Sequence, residues 1–165
     1  MEDLKTAAWM LRYGARSLAH NLDFIPADRE DWKPSESAKS PLDVAAEVIR
    51  ALQMYRPIFD GPEITAPRPV PPPPTTLAEA KTQLLAVAEE YAAALEAAGP
   101  ELDRPQEMPF GGVFRAYRAV CYPVMDLFHH HGQICYMQCL LGDLEAHWNE
   151  AAIADQFAWP PDDAS

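Results

Sequence analysis

Positive charge is scarce in this chain. Its 165 residues include 13 Lys and Arg against 25 Asp and Glu, a formal charge of −12. A surface of that sign repels nucleic-acid backbones and anionic bilayers. The few cations are scattered rather than clustered, so the sequence argues against nucleic acid and membrane as partners. Glycine is scarce as well, with seven residues. The one Gly-Gly pair, Gly111-Gly112, lacks the spacing of a phosphate-binding loop. No serine sits in a nucleophile elbow. Cysteine occurs three times, at Cys121, Cys135 and Cys139. The odd number, and an N-terminal stretch charged throughout rather than apolar, predict reduced thiols in a cytoplasmic protein. A long uninterrupted apolar run is also missing. The nearest, Ala119–Gly142, is broken by Pro123, Asp126, His129–His131 and Gln133, which predicts that no segment spans a membrane. No segment alternates with period two, and no repeat recurs at a fixed interval.

What the chain does have is helical periodicity. Leu4, Ala7, Ala8, Leu11, Ala15, Leu18 and Leu22 fall at steps of three and four and predict a helix ending near Asn21–Pro26. Ala27–Lys39 is polar apart from Trp32 and reads as a loop. Ser40-Pro41-Leu42-Asp43 then carries a capping serine, a proline suited to the first helical position and an acid for the positive end of the dipole. The second helix runs on through Leu42, Ala45, Val48, Ile49, Leu52, Tyr55 and Phe59 to Asp60-Gly61-Pro62, with Pro57 expected to kink or shorten its last turn. Seven prolines follow between Gly61 and Pro74, a composition that predicts a stiff, extended crossover. Thr76 and Glu79 stand in capping-box spacing ahead of a third helix, which Gly99-Pro100 ends. Glu101–Gly112 reads as loop. A fourth helix is predicted over Val113–Leu141 with a kink at Pro123, then a short helix over Leu144–Ala152. Residues 153–165 read as a tail, with Phe157 and Trp159 able to dock. One all-α domain over residues 1–152, a four-helix bundle with a long proline-rich crossover between helices two and three, fits this pattern.

The fourth helix holds the chemistry. From Leu127 to Gly142 it carries no Lys, Arg, Asp or Glu, yet Asp126 precedes that stretch and His130 lies within it, one turn apart on one face. A buried carboxylate needs a counter-charge. Either the two side chains pair, or both ligate a metal that another helix completes. Glu47, among small and apolar neighbours in Val44–Leu52, is the best third donor. Its alternative is a partly exposed glutamate paired with Arg50 or a lysine. Two carboxylates and one imidazole suit Mn, Fe, Zn or Mg better than Cu. His129 and Gln133 lie close enough to support the set. His131, Cys135 and Cys139 form a rival stripe, but two helical turns separate its ends, about 11–12 Å, too far for one ion. His20 and His147 read as isolated surface residues.

Two segments in particular, Asp31–Leu52 and Met125–Gly142, resemble the DinB/YfiT-like superfamily. The first carries Trp32-Lys33-Pro34 and the serine that opens helix two. The second carries an acid–x–x–x–His pair followed by Gly132-Gln133 and a leucine-rich end. The resemblance implies a four-helix bundle with a long crossover. It also implies a divalent metal, Zn, Mn, Fe or Ni, and a metal-dependent enzyme, a transferase or isomerase acting on a small molecule with a low-molecular-weight thiol. The family's three metal-binding histidines fall on Glu47, Asp126 and His130, so two imidazoles are replaced by carboxylates. The arginine before its Gly-Gln is His131 here. A metal-free scaffold or small-molecule-binding protein working as a homodimer is the alternative.

Overall fold

The computed structural model describes residues 2–61, 72–108 and 111–157. It is mostly helical. Helix α1 spans Glu2–Asn21, α2 Pro41–Tyr55, α3 Leu77–Ala97, the short α4 Ala116–Ala119, α5 Tyr122–Leu140 and α6 Glu150–Phe157.

Local chemistry sets most of these boundaries. At the start of α2, Ser40 Oγ accepts the Asp43 amide at 3.1 Å and Asp43 Oδ2 accepts the Ser40 amide at 3.0 Å. That reciprocal cap, with Pro41 in the first turn, is the one the sequence predicts. Hydrogen bonding to the Ser40 amide holds the Asp43 carboxyl below its ordinary range. Pro57 cannot donate to the i−4 carbonyl, so the α-helix ends at Tyr55 and Arg56–Asp60 tightens into a 3-10 turn. Thr76 caps α3 through the Glu79 amide. Glu79, however, reaches back to the backbone and hydroxyl of Thr75 rather than closing the box on Thr76. At the end of α5 the Asp143 amide bonds the Gln138 carbonyl at 3.0 Å and the Gly142 amide that of Cys139 at 3.1 Å. Gly142, at φ 96°, supplies the left-handed residue this motif requires.

Three expectations are corrected. Residues 105–115 are not simply loop and helix. Pro105–Glu107 pairs antiparallel with Val113–Arg115 as a small hairpin, β1–β2, and Arg104 ties it to the body by donating to the Ile58 carbonyl at 2.6 Å. Pro123 does not kink a long helix. It sits in the first turn of α5, where its missing N–H costs nothing, and α4 is a separate turn before it. The short helix expected over Leu144–Ala152 is displaced to Glu150–Phe157, opened by Asn149, whose side chain accepts the Ala152 amide. The proline-rich expectation falls mostly on residues 62–71, and the docking expected of Trp159 and the Phe157 side chain likewise lies outside the described residues.

Helices α1 and α2 each pack against α3 and α5. Contacts along the helices give their directions. Arg12 of α1 pairs with Glu89 and Glu96 of α3, while Asp23, just past α1, meets Lys81 near the start of α3. These two helices are antiparallel. The first residues of α2 and α3 both hydrogen-bond Glu30, and Arg56 beyond α2 pairs with Glu90 late in α3. Those two are parallel, so the chain from 61 to 76 must return the length of a helix. Tyr55 stacks on Tyr122, which makes α2 and α5 antiparallel. The core between the four holds Leu11, Leu18, Leu52, Leu84, Leu95, Leu127 and Ile134, all essentially inaccessible. Each such side chain contributes on the order of 1.5–3 kcal/mol. Gly14 lets α1 approach α5 closely, since a Cβ there would collide with Leu127.

Candidate functional site

Glu47 lies on the flank of α2 that faces α5, beside the buried stripe of Val44, Val48, Ala51 and Tyr55. Asp126 and His130 lie one turn apart on the opposing flank of α5. Antiparallel packing brings the three together. His130 Nε2 stands 3.7 Å from Glu47 Oε2 and 3.6 Å from Asp126 Oδ2. The imidazole is 4% exposed, whereas the side chains of Glu47 and Asp126 are 26% and 18% exposed.

The proton inventory of this cluster is informative. His130 Nδ1 lies 2.8 Å from Gln133 Oε1. An amide oxygen only accepts, so Nδ1 carries the hydrogen. Gln133 Nε2 in turn donates to His129 Nε2 at 3.2 Å. Burial lowers the His130 pKa, opposed by Gln133 and Asp126. The neutral tautomer therefore presents a bare Nε2 lone pair toward two carboxylates, at separations too long for hydrogen bonds. Three electron-rich atoms facing one space call for a cation.

Two cations reach the cluster, both at Glu47. Lys39, in the last position before the Ser40 cap, ion-pairs with Glu47 Oε2. Arg50 approaches Glu47 Oε1 at 3.8 Å with 74% of its side chain exposed. The three residues expected as a metal set thus lie together, and the alternative expected of Glu47, pairing with a lysine or Arg50, is the arrangement seen. Donors bound to a common ion at about 2.0–2.2 Å are roughly 3.0–3.6 Å apart. The donor types fit, while the separations around His130 are one at the limit of that range, 3.6 Å to Asp126, and one beyond it, 3.7 Å to Glu47. As the side chains stand, no group of three or more His, Cys, Asp or Glu among the described residues is arranged to hold a metal ion, and Lys39 occupies the carboxylate a metal would need.

The cluster opens onto a cleft of about 200 Å³ between α2 and α5. Glu47, Arg50 and Asp126 give it polar groups, and Met54, Tyr55 and Tyr122 an apolar side. The two tyrosine rings stack with centroids 5.5 Å apart. Burial raises the Tyr55 phenol, with Tyr122 and Asp126 adding to it.

The rival stripe resolves differently. His131 turns to α1, where Asn21 Nδ2 lies 3.1 Å from its Nε2. The Cys135 thiol points at Asn21 Oδ1 at 3.7 Å, and Gln138 donates to the Asn21 carbonyl at 2.8 Å. Cys139 is exposed. His147 is not isolated. Its ring stacks on Phe24 and its Nε2 lies 2.6 Å from Asp143 Oδ2, while its carbonyl accepts from Asn21 at 3.2 Å. Sequence reasoning missed Asn21 as the hub of this second cluster, and Lys39 by name in the first. Lys39 had no helical signal, since it stands before the Ser40 cap and outside α2. Asn21 had none beyond its place at the end of α1.

No protein-family model and no curated protein sequence matches the chain. Among solved structures it is similar to the DinB-like protein YjoA of Bacillus subtilis. The TM-score is 0.71 over 87% of this chain and 96% of that one, at 14% identity. The fold is DinB-like. No helix among the described residues is long and apolar enough to cross a membrane.

Proposed function

We propose that this protein is a DinB-type four-helix bundle that holds a divalent cation (Zn, Mn, Fe or Ni) at Glu47, Asp126 and His130 and acts on a small molecule in the adjoining cleft. The observation that carries this reading is the hydrogen bond between His130 Nδ1 and Gln133, which turns Nε2 toward carboxylates from two helices. A cation there would serve as a Lewis acid, polarising a carbonyl or lowering the pKa of a bound thiol or water. Gln133 fixes the His130 tautomer, and His129 in turn anchors Gln133. Arg50 offers positive charge to an anionic substituent, while Met54 and the Tyr55–Tyr122 pair exclude water from an apolar one. A transferase or isomerase using a low-molecular-weight thiol is the reaction class this reading takes from the sequence resemblance.

The Lys39–Glu47 pair favours a second reading. In it the ammonium supplies the counter-charge permanently, and the protein is a metal-free scaffold or small-molecule binder. Elemental analysis and titration calorimetry on untagged protein with Zn, Mn, Ni and ferrous ion decide between them. The first reading expects one ion per chain, lost in Glu47→Ala and in His130→Ala. No binding in the wild type, and none in Lys39→Ala, would establish the second.

A further inference from the structure

Two sulfurs on α5 play no part in the site already described. Cys135 and Cys139 stand four residues apart near the end of the helix, so their side chains leave the same face one turn apart. Neither lines the cleft. Cys135 is half-buried, with its thiol directed at Asn21 Oδ1 at 3.7 Å, and Cys139 is exposed. Burial raises the Cys135 thiol above its ordinary range, and the Cys139 sulfur adds to that. The Cys139 contribution marks the two sulfurs as neighbours.

Spacing limits what such a pair can do. Residues four apart on a helix hold their Cβ atoms about 5–6 Å apart. A disulfide needs them within about 3.5–4.5 Å, so joining these sulfurs directly would distort the last turns of α5. A single ion between them suits the wider spacing. Sulfurs bound to a common ion at about 2.3 Å each stand up to about 4.6 Å apart, which staggered side chains reach from that Cβ separation.

The donors select the ion. Thiolates are soft ligands and favour soft cations. No carboxylate lies between Leu127 and Gly142, so the oxygen donors that Mg, Ca or Mn prefer are missing from this stretch. Zinc takes four ligands, yet no group of three or more His, Cys, Asp or Glu among the described residues is arranged to hold an ion. His131, one turn before Cys135, has its Nε2 taken by the Asn21 amide. Cuprous ion is stable with two sulfurs in line and needs no third ligand.

We propose that Cys135 and Cys139 form a two-coordinate site for a soft monovalent cation, Cu(I). Binding exchanges protons for metal. Both thiols lose their hydrogens to solvent, two copper–sulfur bonds form and copper stays cuprous, so no oxidant or reductant is consumed. Loss of the Cys135 hydrogen also frees Asn21 Oδ1, which links the site to the hydrogen bonds joining α1 to the segment before α6. The proposal does not depend on Glu47, Asp126 and His130 holding an ion.

Competition for cuprous ion tests it, with the reduced, untagged full chain under argon and the coloured chelator bicinchoninate as rival. The wild type is expected to take one Cu(I) per chain and to develop copper–thiolate charge-transfer absorption in the ultraviolet. Cys139→Ser, at an exposed position that leaves the fold alone, is expected to lower the affinity by more than the roughly 10–100-fold that loss of a supporting residue costs a metal site. Cys135→Ser is expected to do the same, with an unchanged helical circular dichroism spectrum. Cys121→Ser is the control. That thiol lies before α5, more than roughly 20 Å from the pair along the axis, and the variant keeps the wild-type affinity. A wild type that cannot compete, one ion shared between two chains, or a Cys139→Ser variant that binds as the wild type does overturns the proposal.

Discussion

Adjacent histidines on α5 have opposite fates. His130 turns toward α2 and meets two carboxylates; His131 turns toward α1 and meets a neutral amide. Around His131 polar atoms find neutral partners: Asn21 bonds the Ser17 carbonyl, the ring of His131 and the His147 carbonyl, and Gln138 bonds the Asn21 carbonyl. That cluster holds no unpaired charge and ties α1, α5 and the segment leading into α6 together. Around His130 the Nε2 and the carboxylates have no hydrogens to share, and the cations that reach them are half or more exposed. The contrast teaches that burying polar groups is a structural device when neutral groups meet neutral partners. Where they do not, it leaves a site able to take up something from outside.

The largest test of that contrast exchanges the two histidines' roles. His130→Ala is expected to abolish divalent-cation binding by calorimetry, and His131→Ala to leave it within roughly twofold, since His131 bonds Asn21 on α1 rather than any of the three donors. Equal loss in both variants would erase the distinction. Next in size is Asn21→Ala, which strands a buried histidine nitrogen and a carbonyl. Urea unfolding is expected to report a loss of about 2–3 kcal/mol, against less than about 1 kcal/mol for Glu47→Gln, whose partner charges are exposed. A smaller effect is expected from Lys39→Ala. Removing the competing ammonium tightens the divalent cation several-fold, roughly the worth of one partly exposed ion pair, and leaves the unfolding midpoint nearly unchanged. A weaker cation would mean that Lys39 supports the site rather than competing for it.

The smallest effect concerns pH. Burial holds the His131 pKa below its unfolded value of about 6.5. Between those two values the unfolded chain binds a proton that the folded chain refuses. Stability therefore falls as pH drops from about 6.5 through the folded value, and rises again with pH across the same window. His131→Gln, which retains an acceptor for Asn21, is expected to flatten that part of the stability–pH curve. An unchanged slope in chemical denaturation at pH 7.5, 6.5 and 5.5 would show that His131 does not contribute to it.

Much of this was legible in the chain itself, for local reasons. The Ser40–Pro41–Asp43 start of α2 follows from hydrogen bonding within four residues. Asp126 and His130 share a face because helix geometry puts them there. Other features depended on distant partners. The hairpin at 105–115 has only three residues in each strand, too short for an alternating pattern to register. Pro123 reads equally as a kink or a start until the preceding turn is known. Asn21 gains its role from α5 and from residue 147, more than a hundred positions away.

The sequence by itself determined a DinB-like helical chain with three candidate donors on two of its helices, because periodicity and capping act over a few residues at a time. Tertiary structure alone decided that Glu47 meets His130 while His131 meets Asn21, and that Lys39 is the counter-charge paired with Glu47. Side chains one residue apart diverge by about 100° around a helix, and which neighbour each one meets depends on how the other helices are laid against it.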